Sequence, residues 1–175
     1  MNLLDRLLGH DAWTTWTLLS RSRDLTEEQL DQPHDLGWRT VRATLRHITE
    51  NMETWTNLMT GVPPAAWPPA EGDSLDDLDR RLRAVAPRLA ALARQIEAEG
   101  RLDDTWLDVL DRPPRPKTYG GAIAHVLTHS MHHRAQLIQM LRALGLPSVP
   151  EGDLLGWEMR GAPALPLPDP PSSQP

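Results

Sequence analysis

A chain of 175 residues, 39% hydrophobic and 24% charged, has the size and composition of one globular domain around a single buried core. It contains no cysteine, which excludes disulfide scaffolds, thiolate zinc sites, iron–sulfur clusters and a cysteine nucleophile. A net charge of −6 argues against a broad electropositive surface for nucleic acid. No apolar run approaches the roughly 18 residues of a membrane span, so a soluble cytoplasmic protein is expected.

Seven Trp with one Tyr and no Phe place nearly all aromatic packing on indoles, and 17 prolines cut the chain into helix-length stretches. The first stretch, residues 2–23, sets Leu3, Leu4, Leu7, Leu8, Trp16 and Leu19 on one helical face. Residues 24–37 read as a connector, with a short helical turn capped by Thr26 and broken by Pro33 and Gly37. A second long helix is expected over 40–60, where Val41, Leu45, Ile48, Met52, Trp55 and Met59 recur before Gly61, Pro63 and Pro64. A Pro-rich loop over 61–73 then leads to a third helix, capped by Asp73 or Ser74 and ended by Gly100, which Pro87 is expected to kink or split. Residues 101–117 read as a long irregular connection, within which a short strand is one option. Thr118 caps the last helix, anchored by Ile123, Val126, Leu127, Ile138, Leu141 and Leu144 and stopped by Gly145. Four amphipathic helices without a set of strands predict an all-α fold, a four-helix bundle over 1–157, followed by a Pro-rich tail over 158–175 that is disordered or extended.

The histidines carry the chemistry. Four of seven, His125, His129, His132 and His133, fall in the single run HVLTHSMHH. At about 100° per residue, His129 and His133 lie about 40° and 80° round the helix from His125, toward apolar residues centred at about 130°, while His132 turns away. His129 and His133 are therefore the couple best placed to share a buried ion, with His125 and His129 second. The plain alternative is a surface cluster without metal, but an imidazole among leucines at His133 needs a ligand or a hydrogen bond. A third ligand is available from His10, His34 or His47. His47 lies mid-helix but at the flank of its apolar face, so periodicity does not choose among them.

The segments LRHITENMETWTNLMTG at 45–61 and HVLTHSMHHRAQLIQMLRALGLPSVPEGDLLGW at 125–157, with a helix opened by Gly120 and Gly121, resemble the DinB/YfiT-like family over residues 1–157. The resemblance implies a four-helix bundle, often a homodimer, that holds a divalent ion on three histidines. Carried over residue by residue, these are His47, His129 and His133; Ala135 stands where the family frequently has Gly. It also suggests a metal-dependent enzyme, in transfer chemistry on a low-molecular-weight thiol or in hydrolysis of a small-molecule substrate; three imidazoles with water suit Zn, Ni, Fe or Mn. Arg134, as an anion clamp, and His125 are the candidate catalytic residues, with Gln136, Glu50 and Asn51 beside the ligand face. The alternative is a non-catalytic stress-response protein with a structural metal. A ferritin-like di-iron bundle is set aside, because no ExxH sequence occurs and the third helix has no histidine.

Overall fold

The computed structural model describes residues 1–67 and 72–166. Within them the chain is mostly helical: α1 Leu3–Ser22, α2 Glu27–Leu30, α3 Val41–Met59, α4 Leu75–Ala98, α5 Tyr119–Ala143 and α6 Leu154–Met159. A 3₁₀ turn occupies Pro64–Ala66, and one antiparallel strand pair joins β1 Thr105–Asp108 to β2 Arg115–Thr118. Local chemistry sets where the helices begin. Asn2, Thr26, Thr40, Ser74, Thr118 and Asp153 each accept a hydrogen bond from a backbone N–H of the following turn. Each thereby satisfies a donor that has no partner inside its own helix. Thr26 and Gln29 bond reciprocally, so the connector does hold one turn of helix.

Two stretches depart from the sequence reading. α4 runs unbroken through Pro87. The ring lies on the exposed side while Val85, Ala86 and Leu89 are buried, so inward packing holds the helix together although Pro87 offers no amide to the carbonyl one turn earlier. The stretch 101–117 is more regular than an irregular connection, since Thr105 pairs with Thr118 and Asp108 with Arg115 in a hairpin. Asp108 is buried there, and the Lys117 ammonium donates to it at 2.5 Å.

Side-chain contacts fix the helix directions. Arg81 with Glu53 and Arg88 with Asn57 tie α3 parallel to α4, whereas Arg94 with Asp5 and Arg23 with Asp76 set α1 antiparallel to α4. His47 with His129 and Thr44 with Met140 set α3 antiparallel to α5. Leu8 shares one apolar cluster with Leu127, and Leu18 shares another with Leu141, so α1 and α5 run parallel.

The two apolar clusters are stacked along the helices. Leu8, Ile48, Leu82 and Val126 belong to one, and Leu18, Leu45, Leu78 and Leu137 to the other. Between them each long helix contributes buried or half-buried polar groups: Asp11, Thr14 and Thr15 on α1, His47 on α3, Arg81 on α4, and His129, Ser130, His133 and Arg134 on α5. Such a belt is unfavourable unless its members are paired or ligated. On the α1 side, Arg134 meets Asp11. On the α3 side, the histidines meet one another.

The start of the Pro-rich tail is anchored. Trp157 Nε1 donates to the Pro163 carbonyl at 3.0 Å, Arg83 donates to that of Pro166, and Leu165 packs on the first cluster. The rest of the tail, 167–175, and 68–71 of the Pro-rich loop lie outside the described residues. Among the described residues no helix is long and apolar enough to cross a membrane.

Candidate metal centre

His47 projects from the middle of α3 onto α5, where His129 and His133 stand one turn apart. The Nε2 atoms of His47 and His129 are 2.7 Å apart, and one ring nitrogen from each of the three histidines lies within 4.8 Å of the others. The rings meet edge to face, with centroids 4.9 Å apart for His47 and His129, 4.6 Å for His47 and His133, and 4.4 Å for His129 and His133. Two nitrogens on one ion at about 2.1 Å stand about 3–3.5 Å from each other, so the cluster has the scale of a shared site. His133 is buried; His47 and His129 are half-buried, which leaves the cluster open on one side.

Electrostatics keeps the three rings neutral. Burial first, and then the neighbouring imidazoles, push His47 and His129 down to about 4. Burial also lowers His133, against a hydrogen bond to Gln136 that favours its charged form. Neutral imidazole is the form that ligates a metal.

Gln136 sets the tautomer of His133. Its Oε1 lies 2.8 Å from His133 Nδ1. A carboxamide oxygen only accepts, so Nδ1 carries the proton and Nε2 keeps its lone pair for a metal. The Gln136 amide nitrogen donates in turn to His132 Nε2 at 2.9 Å. One indole lies on the cluster and another beside it: Trp38 lies over His47 at 4.3 Å and 30°, and Trp55 lies 4.8 Å from His125. The His125 ring is 5.1 Å from that of His129, and partial burial followed by the Lys117 charge lowers its pKa. The Lys117 ammonium caps Trp55 at 4.9 Å.

His47, His129 and His133 thus come together, while the other candidate ligands do not. His10 is buried between α1 and the segment before α6, its Nε2 2.9 Å from the Gly152 carbonyl, and His34 stays in the α2–α3 connector. Glu50 lies 3.9 Å from both Arg46 and Arg81. Asn51 Oδ1 is buried without a partner among the described residues.

Arg134 does not stand beside the triad as the expected anion clamp. Its residue is 3% exposed, and its guanidinium is ion-paired with Asp11 on α1, 3.3 Å from the Thr15 hydroxyl. The cause is helical rotation: the residue after His133 points about 100° away, onto a different neighbour. Sequence reasoning took Gly37 only as a helix breaker and missed Trp38; both stand just before the Thr40 cap of the His47 helix.

The fold and the cluster together define a helical protein with three convergent imidazoles able to hold a metal ion. The chain belongs to the DinB family, whose model matches residues 1–159 and so takes in α1 to α6. No match is found among curated proteins.

Proposed function

We propose that this protein is a metal-dependent enzyme built on a DinB-type four-helix bundle, holding one divalent ion on His47, His129 and His133. It acts on a small molecule, by transfer of a low-molecular-weight thiol or by hydrolysis. The observation that carries the reading is the convergence of three neutral ring nitrogens within 4.8 Å at a half-open place between α3 and α5. The donor set suits Zn, Ni, Fe or Mn, and with no carboxylate among the three ligands the charge of the ion is not offset. When bound, such an ion supplies Lewis acidity toward a water or thiol held beside it.

The chain supplies the rest. Gln136 fixes the ring of His133. His125, neutral at pH 7 and next to His129, is placed to accept a proton from a group held at the triad. The indoles of Trp38 and Trp55 wall the site with apolar surface for a small electrophile. A chain without cysteine has no thiol of its own to compete with that substrate. Homodimeric assembly and a cytoplasmic location belong to the same reading.

The test loads the purified protein with each of the four metals and assays a low-molecular-weight thiol with an aryl halide, and separately a panel of small esters. Turnover is expected to vanish on chelation and return with metal. His125→Ala is expected to lower the rate by about 10²-fold without loosening the metal. Tight metal binding with no turnover, and unfolding on chelation, would instead support the structural-metal reading. Activity that survives complete chelation would overturn the proposal.

A further inference from the structure

The connector between α2 and α3 touches the ligand set on both helices. Its path is tight: Gly37 has φ +48°, and Arg39 has φ +68°, a left-handed conformation that costs a residue with a Cβ. The Arg39 and Thr40 amides donate to the Leu36 and Trp38 carbonyls at 2.8 Å each, and the His34 amide donates to the Arg39 carbonyl at 2.6 Å.

This path has two consequences at the histidines. It lays Trp38 on the ring of His47, with the indole still 47% exposed. It also presses the Gly37 backbone against Gln136. A Cβ at position 37 would fall 2.7 Å from the carboxamide Cδ and closer still to Oε1, the atom that accepts from His133 Nδ1.

We infer that the connector is a positioning clamp for the metal ligands: Gly37 holds the Gln136 carboxamide so that His133 keeps its proton on Nδ1 and offers Nε2, while Trp38 fixes the plane of His47. Gln136 is a flexible side chain near the surface, bonded on its other side to the exposed His132. The bond to His132 turns the amide nitrogen away from His133, and the Gly37 backbone limits where the group can sit. If the amide turned over, its NH₂ group would face His133, make Nδ1 an acceptor and move the ring proton to Nε2, the atom needed for the metal. The Gly37 backbone leaves the carboxamide the place where its oxygen meets Nδ1, and a Cβ there would push it away. Backbone strain and steric displacement at position 37 can be separated, because shortening Gln136 removes the clash and leaves the strain.

The consequence for affinity rests on the proposed metal site, whereas the tautomer of His133 can be read without metal. The experiment compares the wild-type chain with Gly37→Ala, Gln136→Ala and the double variant. Long-range ¹H–¹⁵N spectra of metal-free protein report the protonated nitrogen of His133, competition with a chromophoric chelator gives zinc affinity, and circular dichroism reports the fold. The wild type is expected to show the Nδ1–H tautomer. Each single variant should mix the tautomers and weaken zinc binding about 10- to 100-fold, and the double variant should be no weaker than Gln136→Ala alone.

A folded Gly37→Ala protein with the wild-type tautomer and zinc affinity within about two-fold overturns the inference, as do additive losses in the double variant. Should Gly37→Ala fail to fold, the wild-type tautomer and Gln136→Ala decide: an Nε2–H ring in the wild type, or an unaltered ring in Gln136→Ala, overturns it. A wild type that holds Nδ1–H yet binds no zinc defeats the proposed function, and the tautomers of the variants then decide the clamp by themselves.

Discussion

Replacing Arg134 with Met in metal-free protein is predicted to cost about 3–5 kcal/mol of stability while leaving the histidine cluster intact. Arg134 and Asp11 are each 3% exposed and pair across the α1–α5 contact, with the Thr15 hydroxyl 3.3 Å from the guanidinium. Burial pushes the Asp11 carboxyl up and the Arg134 charge opposes it. Without Arg134 the buried carboxylate keeps only the His10 imidazole nearby, and must protonate, draw a proton onto that ring or admit water. For a chain of this size each kcal/mol shifts the melting temperature by about 2–4 °C, so a fall of about 6–20 °C is expected. Replacing both partners with apolar residues, Asp11→Leu with Arg134→Met, should return stability to within about 2 kcal/mol of the wild type, because the cost lies in the orphaned charge. The assay is urea unfolding followed by circular dichroism in the presence of chelator. A metal at a thousand times its Kd would otherwise add about 4 kcal/mol to every variant that binds it. Variants still folded at low temperature should bind zinc within about three-fold of the wild type. An Arg134→Met protein as stable as the wild type, with its metal or substrate binding lost, would refute this reasoning and return Arg134 to the site.

The depressed imidazoles give the metal-free protein a pH dependence of definite sign. His47 and His129 titrate at 6.5 in the unfolded chain and at about 4 when folded, so in that interval the unfolded chain binds more protons and stability falls as pH drops. The urea midpoint should therefore be lower at about pH 5 than at about pH 7.5, with a smaller drop in the His47→Gln, His129→Gln double variant; equal drops would show that other groups are responsible. Zinc affinity should hold between about pH 8 and pH 6 and weaken below about pH 5, where protons begin to compete for the ring nitrogens. Pro87→Ala should raise stability by up to about 3 kcal/mol, since the helix is already continuous there and the ring is exposed; a lower melting temperature would mean that the ring itself packs.

What could be read from the sequence was local. Thr40, Ser74 and Thr118 announce helix starts because a side-chain oxygen reaches an amide three residues on. His129 and His133 could be placed on one face because helical period alone puts them there. His47 could not: a residue at the flank of its apolar stripe reaches a neighbour or solvent according to how α3 rolls against α5, and the family resemblance supplied what periodicity lacked. Arg134 was misplaced because adjacency to His133 along the chain says nothing about Asp11, which lies 123 residues away. The continuity of α4 through Pro87 depends on the burial of Val85 and Leu89, and the anchoring of residues 163–166 depends on Trp157 and Arg83. The connector is the extreme case. The contact of Gly37 with Gln136 joins residues that no periodicity relates.

Metal content per chain tests most directly whether one ion sits on His47, His129 and His133. Protein loaded with zinc and dialysed should carry about one ion per chain in the wild type and in His132→Ala, and far less in His47→Ala, His129→Ala and His133→Ala. Full zinc content in the three triad variants with loss in His132→Ala, or a wild type that retains no ion, would contradict it.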